Sequence, residues 1–188
     1  SGDFSTIMIG KGVGNKIEII ESQDFPVSIG LFYSAFTQFL GFQNYGDEYK
    51  IMGLAAYGQH SNNYDMSKII KIDDKEFYKI NNKYIKMHSG GSAEKVFNSN
   101  VVIDKWFKPE IEQLLGKSRK PNSKIKQSHM DIARAVQTHF EKISLECIKK
   151  LSKLVDTKNL CLSGGCALNG LLAGKIAKNT KFKNIYIP

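Results

Sequence analysis

Two short stretches of this 188-residue chain bring together residue types that bind anions and hydroxyl groups. The first is Leu160–Gly174, LCLSGGCALNGLLAG, where a short apolar run (Leu160, Cys161, Leu162) meets Ser163-Gly164-Gly165 and the chain turns straight into a helix-compatible segment, Cys166–Lys178. A strand, a tight glycine turn and a helix present backbone N–H groups and the positive end of a helix dipole to an anion, and phosphate is the obvious guest. The second stretch is Gly46–Gly58, GDEYKIMGLAAYG. Polar Asp47, Glu48 and Lys50 crowd its start, a carboxylate and an ammonium within a few residues beside Gly53, Ala55 and Ala56, small residues that permit close backbone packing. That combination suits recognition of a ribose hydroxyl and a phosphate. It equally describes an ordinary charged helix start, with Glu48 favouring the dipole and Lys50 solvated.

Other reactive residues carry less. Cys166 at the start of a helix is placed for a lowered thiol pKa and nucleophilic attack. No histidine is close in sequence to act as its base, so a small, buried helix-start residue is the simpler reading. The four histidines (His60, His88, His129, His139) do not pair at i,i+4, and the ten-residue gap between His129 and His139 does not put them on one helical face. His88-Ser89-Gly90-Gly91-Ser92 reads as a flexible connector or a small anion loop. The motifs GxxxxGK[ST], GxGxxG, GxSxG and HExxH are absent, which removes the standard P-loop, dinucleotide, hydrolase-elbow and zincin readings.

The elements that would position these residues follow from periodicity. Leu160–Leu162, the glycine turn, the helix, a charged turn at Lys178–Lys183 and a closing strand Asn184–Pro188 make one βαβ unit of an α/β domain. Leading into it, Ile132, Val136, Phe140, Ile143, Cys147, Leu151 and Leu154 mark one apolar face of a long helix, with Ser128 and Asp131 forming a capping-box-like start. Near the other end, Ser28 is placed as N-cap of a helix whose face holds Ile29, Phe32, Phe36, Phe39 and Leu40, a core stripe that Gly41 ends. Ser5–Gly10 and Asn15–Glu21 read as a β-hairpin. Its first strand has almost nothing before it, which suggests a piece of a longer protein. A second hairpin is expected from Glu76–Ile80 and Lys83–His88 around Asn81-Asn82. Trp106, beside Phe107 and Pro109, reads as packing.

Composition is that of a globular chain, 41% hydrophobic and 24% charged, long enough for one substantial core or two small lobes. With no eighteen-residue apolar run and no leader at Ser1–Gly10, it reads as neither membrane-spanning nor secreted. Three cysteines without a CxxC pair argue for reduced thiols and a cytoplasmic setting. The net charge of +9 raises nucleic acid as a partner. Its one dense basic run, Lys117–Lys126, holds five positive and no negative residues and reads as a solvated loop or a phosphate or acidic-partner contact.

Three blocks in sequence carry a resemblance: SIGLFYSAFTQFLGF (Ser28–Phe42), GDEYKIMGLAAYG (Gly46–Gly58) and LCLSGGCALNG (Leu160–Gly170). Together they resemble the O-carbamoyltransferases of the nodulation-protein and antibiotic-biosynthesis type, while about Gln59 to Gln127 matches only in general layout. The resemblance implies an α/β fold: part of an actin-like, sugar-kinase-like (RNase H-like) ATPase domain with mixed sheets flanked by helices, similar to the tRNA threonylcarbamoyladenosine synthase subunit. In that family a second domain makes carbamoyl-adenylate from ATP and carbamoyl phosphate. The core then moves the carbamoyl group to a hydroxyl of a sugar or natural product. Ser163, Gly164, Gly165 and Asn169 would then line the nucleotide pocket, and Glu48 and Lys50, with Gly53 of the same block, would face the same cleft. No catalytic residue is assigned.

The family's metal, usually iron or another divalent ion, is held by an HxxxH pair and aspartates. The HxxxH is expected upstream of the first hairpin and the aspartate segment beyond Pro188, so no metal ligand is assigned within residues 1–188. The chain is thus expected to be a partial N-terminal carbamoyltransferase domain, lacking the adenylate-forming domain and inactive alone. The expected partners are carbamoyl phosphate and a hydroxyl acceptor, with no membrane or nucleic acid; a homodimer is among the assemblies allowed. The rival readings are a sugar kinase or other ATPase of the same superfamily, and a basic nucleic-acid-associated module using Lys117–Lys126.

Overall fold

The computed structural model describes residues 4–44, 46–87, 95–97, 100–102 and 105–188. In chain order the elements are β1 (Ser5–Val13), β2 (Lys16–Asp24), α1 (Ile29–Phe39), α2 (Glu48–Ala55), β3 (Ile70–Ile72), β4 (Tyr78–Ile80), β5 (Lys95–Phe97), β6 (Asn100–Val102), α3 (Ile111–Leu115), α4 (Gln127–Leu154), β7 (Asn159–Cys161), α5 (Gly170–Asn179) and β8 (Asn184–Tyr186). Two single 3₁₀ turns, Met66–Lys68 and Gly165–Leu168, complete them. Among the described residues the strands pair two by two, as β1–β2, β3–β4, β5–β6 and β7–β8. The mixture of small sheets and helices is the α/β class expected. The chain divides into two compact units: Ser1–Gly30 with Ile72–Lys79 and Glu141–Pro188, and Leu31–Lys71 with Ile80–Phe140.

In the first unit the N-terminal hairpin is longer than its sequence signal, because β1 and β2 pair antiparallel as far as Ser5 opposite Asp24 and Val13 opposite Lys16. A register shift between Ile9 and Gly10 breaks the alternation that would have marked the extra residues. Gln23, buried on β2, ties the hairpin down: its Nε2 donates to Tyr78 O at 2.9 Å and its Oε1 accepts from Phe77 N at 3.0 Å. The buried Tyr78 hydroxyl in turn accepts from Ile29 N at 3.0 Å, satisfying one of the orphan amides at the start of α1. The βαβ unit is present as read, with β7 and β8 parallel. Its core is Ile148, Val155, Leu160, Ile176 and Phe182, an apolar layer shared by the end of α4, β7, α5 and the turn before β8.

The core of the second unit is aromatic. Phe32, Phe36 and Phe39 of α1 are fully buried, with ring centroids 5.1 Å (Phe32–Phe36) and 6.0 Å (Phe36–Phe39) apart, and Phe39 meets Phe107 edge-on at 5.4 Å. Each such pair contributes about 0.5–1.5 kcal/mol beyond its buried area. Trp106 is buried as well, in line with a packing role. The helix end falls at Gly41 as expected: Gly41 N donates to Gln38 O and Phe42 N to Thr37 O at 3.0 Å, the paired bonds that close a helix C-terminus.

Several sequence expectations are corrected. The second hairpin does not form around Asn81-Asn82, because β4 pairs with the upstream β3. Asn81 instead ends that pairing, its N–H donating to Ile69 O at 2.7 Å and its side chain to Lys68 O at 3.2 Å, while Ile85 bridges to Phe107. The proposed connector or anion loop at His88–Ser92 lies outside the described residues. Helix α4 begins at Gln127, one residue before the expected cap Ser128. Its Asp131 is committed elsewhere, accepting from Gln59 N at 2.7 Å and Gln127 Nε2 at 2.8 Å. The apolar face of α4 is buried from Ile132 to Ile148, but Leu154 is exposed. The basic loop is not wholly solvated: Arg119 is buried, its guanidinium donating to Leu40 O, Gly41 O and Ser123 O and lying over the Phe42 ring.

Candidate functional site

The glycine turn differs in detail from a strand running straight into a helix. After β7, Leu162 N still donates to Tyr186 O at 2.9 Å, which carries the strand pairing up to Ser163. Gly164 then adopts φ +96°, a region that side chains with a Cβ avoid. Residues Gly165–Leu168 form a single 3₁₀ turn closed by Ala167 N to Gly164 O at 2.9 Å and anchored by the buried Ala167. The chain resets at Asn169 (φ −73°, ψ 98°), whose Oδ1 accepts from Leu172 N at 3.0 Å. Asn169 is therefore the N-cap of α5, and the positive end of that helix lies at Asn169–Gly170 rather than at Cys166. This corrects the expected helix start, and it removes the dipole argument for Cys166, which sits half-buried inside the 3₁₀ turn.

What the turn offers is exposed backbone. Ser163, Gly164 and Gly165 are all exposed, and among the described residues their amide N–H groups donate to no protein acceptor. Three consecutive amide donors without a protein acceptor are groups that an anion's oxygens can satisfy.

The acidic-basic block is built differently. Asp47 precedes α2 and is 6% exposed. Instead of capping the helix, its Oδ1 pairs with Lys50 Nζ at 2.6 Å and its Oδ2 accepts from Asn44 N at 3.2 Å. The Lys50 side chain is 32% exposed, with Nζ 5.5 Å from the Phe42 ring centre and 5.8 Å from that of Tyr49. The hydrogen bond that Lys50 donates to Asp47 chiefly raises the Lys50 pKa above the usual lysine value, with burial opposing it. Lys50 is thus not simply solvated. Glu48 turns toward α1, where its Oε1 accepts from Ser34 Oγ at 2.6 Å. It borders a shallow open notch with Ser34, Thr37, Gln38, Asn44 and Trp106.

Gly53 is exposed with open space where a Cβ would stand, so the close packing expected of this block is not made there. It is made at Gly58, where an added Cβ would come within 2.2 Å of Met130 O and 2.7 Å of Arg134 Cβ on α4. Gln127 Nε2 to Tyr57 O at 3.1 Å and Arg134 to Gly58 O at 3.3 Å lock the same contact.

Of the seven residues singled out by sequence, Glu48, Lys50 and Gly53 thus belong to the second unit and Ser163, Gly164, Gly165 and Asn169 to the first. Sequence reading places Asp47 in the charged cluster but not among the binding residues and gives Ser34 no role; the i,i+3 spacing of Asp47 and Lys50 is the signal for their pairing. Among the described residues no three His, Cys, Asp or Glu side chains gather to hold a metal. His139 bonds Ile70 O at 2.7 Å, and His129 Nδ1 accepts from Lys126 N at 3.0 Å. Nor is any helix among the described residues long and apolar enough to cross a membrane.

A family model described as carbamoyltransferase N-terminus matches residues 2–188. The Synechocystis protein sll1178 is 32% identical over 188 residues, which is 99% of this chain and 28% of the relative. Nodulation protein NolNO of Sinorhizobium fredii is 26% identical over 99% of the chain and 24% of its own length. Nodulation protein NolO of Bradyrhizobium diazoefficiens is 27% identical, at 99% and 30%. The chain therefore spans between 24% and 30% of the length of these curated relatives.

Proposed function

The chain belongs to the carbamoyltransferase N-terminus family, and we propose that it forms part of the nucleotide-binding, actin-like domain of an O-carbamoyltransferase. The intact protein would work in the cytoplasm, moving a carbamoyl group from carbamoyl-adenylate, made from ATP and carbamoyl phosphate, to a hydroxyl of a sugar or natural product. The observation that carries the nucleotide assignment is the exposed turn Ser163–Gly165, whose amides meet no protein acceptor among the described residues. Those N–H groups suit the oxygens of an adenylate phosphate. Within the second unit taken by itself, Lys50 offers a fixed positive charge that suits a phosphate, and the Glu48 carboxylate, oriented by Ser34, suits a ribose hydroxyl.

In the transfer step the acceptor oxygen bonds to the carbamoyl carbon, the bond from that carbon to the phosphate oxygen breaks, AMP leaves, and the hydroxyl proton passes to a base. Charge gathers on the carbamoyl oxygen as this happens, and stabilising it is the main demand on the protein. The family resemblance implies iron or another divalent metal in the full-length protein, which would help to hold the adenylate phosphate; among the described residues no three His, Cys, Asp or Glu side chains gather to hold one.

Isothermal titration of the full-length protein with ATP tests the reading. Gly165→Ala fits the fold, since its Cβ would meet open space, and it adds a methyl group on a residue that carries one of the three amides; Lys50→Ala removes the fixed charge. Weaker binding in both is expected, and unchanged affinity in both sinks the assignment. Asn169→Ala is a poor probe because it also uncaps α5, whereas Asn169→Asp keeps the cap. Carbamoyl phosphate dependence of the acceptor reaction separates this reading from a kinase of the same superfamily.

A further inference from the structure

We propose that Asp47 is a positioning residue that fixes the Lys50 ammonium where it meets an anionic ligand. The inference rests on the reading of Lys50 as a phosphate contact. A lysine ammonium ends a long, freely rotating stem, and binding through it ordinarily costs the ordering of that stem. Here the ordering is already done. Asp47 is 6% exposed, with one carboxylate oxygen fixed by the Asn44 amide at 3.2 Å and the other holding Lys50 Nζ at 2.6 Å. Lys50 Nζ also lies 5.5 Å from the centre of the Phe42 ring and 5.8 Å from that of Tyr49, cation–π contacts that favour the same position. One of the three ammonium N–H groups is taken by Asp47, and the 32% exposure of the side chain leaves room for the others to reach a ligand.

The sign of the effect makes this testable. Asp47 puts a negative charge beside the place proposed for a negative ligand, so by charge alone its removal strengthens binding. Positioning demands the reverse. ATP titrations of the full-length protein at fixed salt are expected to show Asp47→Asn weakening binding by about three- to tenfold. Asp47→Glu, which keeps the charge but moves the carboxylate, weakens it as well. Asp47→Asn adds nothing on a Lys50→Ala background, because both act through one ammonium. The nitrogen resonance of Lys50, followed against pH, moves to a lower midpoint in Asp47→Asn, which reports that the carboxylate holds the ammonium; the loss of effect on the Lys50→Ala background is the readout that a purely structural role would not produce. Unchanged or tighter ATP binding in Asp47→Asn, with Lys50→Ala weakened, overturns the positioning role and leaves the nucleotide reading standing. Unaltered binding in Lys50→Ala overturns Lys50 as a phosphate contact and the positioning role with it, while the Gly165→Ala titration decides the turn. If Asp47→Asn does not fold, Asp47→Glu carries the test alone, and wild-type affinity in that variant overturns the proposal.

Discussion

The block Gly46–Gly58 and the turn Ser163–Asn169 both look like ligand-contacting segments, yet they are organised in opposite ways. In the block, the charged side chains are already engaged by the protein: Asp47 holds Lys50, Ser34 holds Glu48, and Gly58 is pressed against α4. In the turn, the side chains do little and the backbone is bare, with three exposed residues whose amides have no acceptor among the described residues. A segment of the first kind contributes to stability and ligand binding through the same residues. One of the second kind is tied to the fold at fewer points, namely the positive φ of Gly164, the buried Ala167 and the Asn169 cap, so Ser163 and Gly165 are the positions where a substitution disturbs the fold least.

The largest effect that would break this contrast is at the paired glycines. Gly58→Ala is expected to destabilise by about 3 kcal/mol, because its Cβ would collide with the backbone of α4. Gly165→Ala should shift stability by less than about 0.5 kcal/mol. Chemical denaturation of both variants checks the pair, and comparable losses would erase the distinction. Next comes Asn169, where the turn does touch the fold: Asn169→Ala should cost about 1 kcal/mol through the lost cap, and Asn169→Asp should restore it. Within the block, Gly53 behaves like a turn glycine, and Gly53→Ala on exposed α2 should stabilise by about 0.5–1 kcal/mol in the same denaturation assay.

The smallest effect concerns pH at the first turn of α4, onto which Gly58 docks. His129 accepts Lys126 N through Nδ1, a bond only the imidazole with a bare Nδ1 can make. Burial first, then the charges of Arg119 and Lys126, hold its pKa below the ordinary histidine value. A depressed folded-state pKa means the unfolded chain binds the proton more readily. The contribution of His129 is therefore complete above the ordinary histidine value and fades as pH falls below it. Thermal melting between about pH 7 and 5 should show this slope, and His129→Gln should flatten it.

Much of this architecture was legible where one pattern persists over many residues. The phenylalanine stripe of α1, the seven-position face of α4 and the β7–α5–β8 unit each repeat a spacing long enough to exceed local noise. The misreadings came where the deciding partner is short or distant. Asn81-Asn82 carries genuine turn chemistry, but the strand that claims β4 is the three-residue β3, too brief to show an alternation. In the same way, SGGCALNG reads as glycine turn plus helix because nothing local marks Cys166–Leu168 as 3₁₀. The Asn at 169 was the signal for a later start, and it was read as a ligand contact instead of a cap. The candidate site follows the same rule, with its residue types visible and their engagement by Asp47 and Ser34 hidden until side chains had places.

The buried Arg119 has a consequence for how the basic loop should vary across related proteins. The four lysines among the loop's five cations are exposed, and any of them serves if charge is all that is needed. Arg119 serves geometry, spreading a planar fork over the carbonyls of Leu40 and Gly41 just past α1 and of Ser123 in its own loop. A lysine cannot span those three acceptors. Aligned sequences should therefore let the lysines drift while one arginine stays, a pattern opposite to that of a loop kept for its charge.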